Sequence, residues 1–379
     1  MIAVFDFLRA LAVLLVVYGH VIGYATDGIP FLGPLANCIT PLTYEQRIKL
    51  LFVPYVNVGE IAVAIFFLLS GFLITKSREG KNAYQFLVKR CMRIFPIAIV
   101  GTVIVFFLLN CVNAHYFGTH FTLNTSDFLF LVTNSLLIND LIPCQSSGNL
   151  FQSTVLMPHF WFLGVIIKYY ILMAILQKYG QKVLMFCGLA LLLASCIYII
   201  FKGDNLISHY LAVLAFSSHH ILFILIGSSL YYMMGDYVFK SKPLNGFDQI
   251  GYVSSLIALF ILSFYVLRKD VAFPIPVDML KNYFIALFVF MLALLLSPKI
   301  TFSPYIVKLL SKTSFSTYVL HYSLGAVLVY LQLKVDMFTS NLVLTYLITF
   351  IVVFLSGFFL YHFVEQPFAK MFFNNSKRV

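Results

Sequence analysis

The sequence predicts an all-α, polytopic membrane bundle of about ten transmembrane helices with both termini cytoplasmic. Three observations predict it. Hydrophobic residues fill 61% of the 379 positions and charged residues only 10%, whereas soluble domains carry about 25% charge. Mean hydropathy is +0.95, and apolar stretches long enough to cross a bilayer recur along the chain. The Lys and Arg residues gather in short connections between those stretches, a positive-inside pattern that accounts for the net charge of +11 without nucleic acid as a partner.

In order, the expected spans are 5–25, 57–75, 92–112, 159–177, 182–201, 217–235, 248–267, 279–296, 315–333 and 341–364. The first has no basic segment ahead of it and no small-x-small cleavage site, so it is expected to remain as a span. The stretch 126–138 is apolar but too short to cross; it belongs at the interface or re-enters. The connection after the second span holds Lys76, Arg78, Lys81, Lys89 and Arg90, whereas residues 113–158 hold neither Lys nor Arg. This contrast places the first inside and the second outside. Lys178, Lys182, Lys240, Lys242, Lys299, Lys308, Lys312, Lys370, Lys377 and Arg378 agree; Arg268, Lys269 and Lys281 fall outside and disagree. These three either meet something anionic there or signal a miscounted span.

The whole chain, 1–379, reads as one membrane domain with a core over about 5–368 and a long outer loop at 113–158. That loop is longer than a connection needs. Its Asn113, His115, His120, Asn124, Asp127, Asn134 and Asn139 suit a hydroxyl-rich ligand if the loop is ordered. Cys91, Cys111, Cys187 and Cys196 fall in or beside spans as small apolar residues, while Cys38 and Cys144 fall in outer loops where a disulfide can form. The spacing of the cysteines gives no metal site, and His219-His220, a weak metal signal without partners, reads as an interfacial pair.

The chemistry starts in the first span. Arg9 and His20 lie eleven positions apart, with no fixed charge between Arg9 and Asp27. At 100° per residue they share one helix face, about 16 Å apart along the axis. Ionisable residues within a span are costly and mark functional sites. Asp6, one turn below Arg9, is a natural ion-pair partner. His20, toward the outside, can act as general base on an alcohol or accept an acyl group; the alternative is a histidine hydrogen-bonded between helices. Glu60, at similar depth, either orients that imidazole or faces water.

Arg90 and Arg93, with Lys89 beside them, form a cytoplasmic pair whose guanidinium forks match phosphate geometry. Lys168 falls mid-span and needs a cavity or a carboxylate. Trp161, the single Trp, is an interface anchor or a stacking platform for a sugar, with His159 two residues before it. His321 is expected in the inner third of the ninth span. Glu365 closes the tenth, where it can pair with the Arg90/Arg93 cluster.

Together these elements resemble the acyltransferase-3 family of integral membrane acyltransferases. The resemblance rests on Asp6-Phe-Leu-Arg9 with Arg9-x10-His20, on Phe66-Phe67-Leu-Leu-Ser70-Gly71-Phe72 and on Arg90-x-x-Arg93-Ile-Phe-Pro96. Tyr318-Val-Leu-His321 and Phe363-Val-Glu365-Gln-Pro367-Phe complete it, all in order. It implies an acyl-CoA donor entering from the cytoplasm, with acetyl-CoA expected, and a glycan or lipid-linked glycan acceptor in a bacterial inner membrane. By that resemblance His20 and Arg9 are the catalytic candidates and Arg90 and Arg93 the donor-binding ones; the residues themselves add Asp6 and Glu60 to the first set, Lys89 and His321 to the second, and His159, Trp161 and Lys168 as substrate-binding candidates. Many members carry an acidic pair five and six residues after the Trp; here Ile166 and Ile167 stand there, and the His159-Phe-Trp161-Phe-Leu163 segment resembles the subgroup that includes simple sugar O-acetylases. A glycan or lipid exporter, a ligase acting on lipid-linked glycans, and transfer of succinyl or another acyl group are the competing readings. The absence of internal repeats weighs against the exporter.

Overall fold

The structure is a computed structural model describing residues 3–27, 56–117, 125–138, 157–176, 179–203, 205–240, 242, 249–268, 278–332, 334–335, 337 and 341–374. Cys38, Cys144, His120, Asn124, Asn139, Lys178, Lys269, Lys377, Arg378 and most of the 113–158 loop lie outside them. Every regular element among the described residues is helical.

Helix α1 spans Ala3–Asp27, α2 Val58–Arg78, α3 Ala83–Phe117 and the short α4 Thr125–Ser135. A 3-10 turn, Pro158–Phe160, leads into α5, Trp161–Leu176. Then follow α6 (Gln181–Phe201), α7 (Leu206–Lys240), α8 (Ile250–Leu267), α9 (Met279–Leu296), α10 (Tyr305–Gln332) and α11 (Leu342–Leu360). The chain continues through a π-turn, Tyr361–Glu365, into α12, Gln366–Asn374. Among the described residues nine helices are long and apolar enough to cross a membrane, and α5 is a shorter apolar one. These ten elements sit on the ten stretches expected from hydropathy. Several run further, because hydropathy marks only what suits hydrocarbon, whereas helical hydrogen bonds continue into polar ends.

Local signals set the ends. Asn57 caps α2 by accepting the Glu60 amide at 3.1 Å, and Lys76 and Arg78 occupy its last turn, where cations oppose the helix dipole. Pro96 sits inside α3 without ending it. It removes the amide that would bond the Met92 carbonyl, and both residues line a cavity shared with Arg93 and Glu365.

The centre of the bundle is α7, buried on every side from Ser217 to Leu230. It packs against α2, α6 and α8, while α1 packs against α2 and α10, and α10 against α11. Helices α6, α9 and α11 instead show an open apolar face, with Phe186 72% and Phe288 69% exposed. Such faces are liabilities in water and ordinary against lipid. The α2–α7 crossing is close: a Cβ on Gly71 would meet the Ile224 carbonyl oxygen at 2.1 Å, and one on Gly227 the Leu68 carbonyl at 2.4 Å.

Helices α1 and α10 run parallel. Ser311 donates to Asp6 Oδ1 at 2.8 Å near one end, and His20 lies against His321 and Tyr322 further along both. Among the described residues, with α4 too short to cross, α10 is the ninth span, and ninth and first spans share a direction. That agrees with an odd number of crossings between them, and two of the three unexpected cations have local partners. Lys281 pairs with Asp278 at 2.9 Å, and Arg268 lies over the Tyr265 ring. Four cysteines, Cys91, Cys111, Cys187 and Cys196, carry free thiols.

Candidate active site

Two clusters, each assembled from several helices, lie at the two ends of one cavity, which is lined by the arginines and reaches the histidines only through Tyr318. The first consists of histidines. His20 of α1 lies 5.1 Å, centroid to centroid, from His321 of α10, and His321 lies 4.9 Å from His159 of the 3-10 turn. Tyr322 closes the group, edge-on to His20 at 4.9 Å and stacked on His159 at 5.6 Å. Main-chain carbonyls select the tautomers of two rings, since only an N–H can bond a carbonyl. His159 Nε2–H donates to Val319 O at 3.1 Å, leaving Nδ1 bare. His321 Nδ1–H donates to Tyr318 O at 2.6 Å, leaving Nε2 as the acceptor nitrogen. The Tyr318 hydroxyl donates to the His159 carbonyl, tying the 3-10 turn to α10.

The second cluster is cationic. Arg90 donates to Ser77 Oγ at 2.5 Å, and its guanidinium lies 5.5 Å from the Phe86 ring and 5.8 Å from that of Tyr170. Arg78 approaches the same Phe86 ring at 5.8 Å and donates to the Ala174 carbonyl at 3.1 Å. Arg93 is exposed and borders three cavities. Lys89 and Lys81 join Arg90 and Arg93 around one of them. Lys81 lies in the connection between α2 and α3. Partial burial, then Arg90 and Lys89, hold its ammonium below the usual lysine range. A site whose cations depress one another is suited to an anion.

The main cavity by position, although the one bordered by Arg93 and Glu365 is larger at about 1150 Å³, measures about 800 Å³ with its mouth, between α1, α2, α3, α5 and α10. Arg9, Arg90, Arg93 and Tyr170 line it, and so do Phe66, Phe162 and Tyr318. Tyr318 in turn touches His159 at 5.2 Å and His321 at 5.3 Å. The cavity thus runs from the arginines to the underside of the histidine cluster.

Arg9 and His20 stand as their spacing requires, one at the arginine cavity and the other in the histidine cluster. Asp6 accepts from Ser311 and lies within electrostatic reach of Arg9. Four expectations need correction. Glu60 does not orient His20 among the described residues. Its Oε2 accepts from Asn282 Nδ2 at 2.7 Å, because the first turn of α2 packs against α9. His321 joins His20, not the arginines, because the extension of α10 down to Tyr305 moves it from the inner third toward the middle of its helix. Trp161 is no open platform, since Phe67, Phe216 and His220 surround its ring at 6.1, 5.4 and 4.8 Å. Lys168 donates to Ser217 Oγ of α7 at 2.9 Å and does not line the main cavity. His159, by contrast, belongs with His20. Glu365 accepts from Ser316 at 2.6 Å, and with Arg93 it borders the third cavity. His219 and His220 are core residues, held by Ser263 and Tyr283.

Sequence reasoning missed Tyr170, Tyr322, Ser77 and Phe86. Only Tyr322 carried a signal, its place beside His321; the others depend on which helices meet.

The fold and site define a polytopic helical membrane protein with a cationic entry leading to buried imidazoles. The family described as an acyltransferase domain, acyltransferase-3, matches residues 2–362, and the chain belongs to that family. It is also 36% identical over 80 residues to an O-acetyl transferase of Shigella phage Sf6, a match covering 20% of this chain and 24% of that protein. The chain therefore matches about a quarter of that relative's length. No solved structure matches it.

Proposed function

We propose that this protein is a membrane O-acyltransferase that moves an acetyl group from acetyl-CoA to a hydroxyl of a surface polysaccharide or lipid-linked glycan. The observation that carries this reading is the single cavity linking Arg9, Arg90 and Arg93 to Tyr318 beneath His20, His159 and His321. The basic connection between α2 and α3 supports a cytoplasmic position for the arginines and both termini, with the histidines deeper, in what this reading takes to be a bacterial inner membrane. CoA phosphates meet Arg93 and Arg90, with Lys89 assisting, and Arg9 steadies the donor farther in. The pantetheine arm follows the cavity toward the histidines.

His20 takes the proton of the acceptor hydroxyl. The alkoxide oxygen attacks the thioester carbonyl, the carbon–sulfur bond breaks, and the CoA sulfur leaves and is reprotonated. Positioning in a dry bundle and general base catalysis supply the rate. The partial match to an O-acetyl transferase supports the acyl group and the oxygen acceptor. Labelled acetyl-CoA added to membranes containing the protein tests the reading. Label in a glycan fraction supports it, and no label alongside intact glycan export favours the exporter.

A further inference from the structure

The upper end of the main cavity is shut by three aromatic rings. Phe66 of α2, Phe162 of α5 and Tyr318 of α10 lie 6.2, 6.5 and 5.3 Å apart, centroid to centroid, in pairwise contact. All three line the cavity on one side, and Tyr318 touches His159 and His321 on the other. Their freedom differs. Phe162 and Tyr318 are buried; Phe162 packs on Phe67 at 4.8 Å, and Tyr318 is pinned by its hydroxyl to the His159 carbonyl. Phe66 is half-buried and the least confined. The remaining lining within one turn of the rings is Leu69, Ser70, Leu163, Ile166, Ser314 and Phe315, with no charged group; the Ser314 hydroxyl is given to the Ser311 carbonyl. The cavity's arginines stand below: Arg9 is one turn above Asp6, which bonds Ser311, whereas Tyr318 is two turns above Ser311.

From this we infer that Phe66, Phe162 and Tyr318 are a size and charge filter for the acyl group, admitting short uncharged chains and rejecting longer or carboxylate-bearing ones. The inference rests on the acyltransferase reading and deepens it. An acyl group approaching His20 along the cavity must enter between these rings. Each further methylene meets ring atoms already in contact, with two of the three rings fixed. A succinyl carboxylate would enter a site lined mainly by rings and aliphatic chains, with the Ser70 hydroxyl beside them and the arginines lower down; a buried charge without an ion-pair partner is strongly disfavoured. The Tyr318 hydroxyl hydrogen is already given to His159.

The test is transfer of radiolabelled acetyl, propionyl, butyryl, hexanoyl and succinyl groups from their CoA thioesters, in native membranes that supply the acceptor. The intact protein should favour acetyl over butyryl by about 10-fold or more, the discrimination expected when methylenes do not fit a pocket. It should transfer succinyl at background. Phe162→Ala and Phe66→Ala should each raise the butyryl-to-acetyl ratio of kcat/KM by about 10-fold. Phe66→Leu and Phe162→Leu, which keep most of the apolar volume, should shift it in the same direction by less and guard against loss of folding. Hexanoyl or succinyl transfer as fast as acetyl by the intact protein overturns the filter. So does an unchanged ratio in all four variants while acetyl transfer persists. No transfer of any acyl group by the intact protein overturns the acyltransferase reading, and the filter with it.

Discussion

His20 combines half-buried placement with two imidazoles whose tautomers are set by carbonyls rather than by solvent. His20→Ala should abolish transfer from labelled acetyl-CoA while membrane insertion and protein level stay normal. Retained transfer would remove it from the chemistry. Glu60 makes the contrasting case. Because its carboxylate serves Asn282, Glu60→Gln should leave transfer within about threefold, with a hydrogen-bond change worth about 1 kcal/mol or less borne by stability. A collapse matching that of His20→Ala would restore Glu60 to a triad. At the donor end, Arg90→Ala combined with Arg93→Ala should raise the apparent KM for acetyl-CoA by about tenfold or more, since charge-assisted bonds contribute roughly 1.5–3 kcal/mol each. An effect confined to the acceptor would displace the donor from these arginines. Of this site, Arg9, His20, Arg90 and Arg93 were legible from residue type and spacing. His159 drew notice beside Trp161, but its partnership with His20 joins residues 139 positions apart, which no periodicity reports.

The α2–α7 contact decides where Phe66, and hence the roof of the cavity, stands. Helix α2 carries Phe66 one turn from Ser70 and Gly71, and Gly71 lets the α7 backbone approach directly. Gly71→Ala should therefore cost roughly 1–3 kcal/mol through overpacking against carbonyl and amide atoms. The check is a fall in the melting temperature of the detergent-purified protein. Gly251→Ala in α8 meets nothing within 4 Å and is the matched control, expected to be neutral or slightly stabilising. The elements were the most legible feature, because a span must be apolar over a length set by the bilayer. Their true ends were not, as α7 shows: the apolar part at 217–235 continues from Leu206 to Lys240.

Across the whole molecule, the parallel pairing of α1 with α10 and the lipid-type faces of α6, α9 and α11 describe one topology. Under the proposed orientation, a cysteine replacing Lys81 in a cysteine-depleted background should react with an impermeant maleimide only after the membrane is opened. One replacing Asp278 should react in intact cells; the reverse pattern would invert the donor and acceptor sides. By itself the sequence determined the class, the number of spans and the shared face of Arg9 and His20, because burial in hydrocarbon and helical periodicity act locally and leave their mark residue by residue. Only the tertiary structure decided that His159 and His321 join His20, that Glu60 turns to Asn282, and that three rings from three helices stand between the arginines and the histidines. Those contacts depend on which helix faces meet. In a bundle apolar on nearly every face, composition does not distinguish one pairing from another; close approaches such as Gly71 against Ile224 and buried bonds such as Asp6 to Ser311 do.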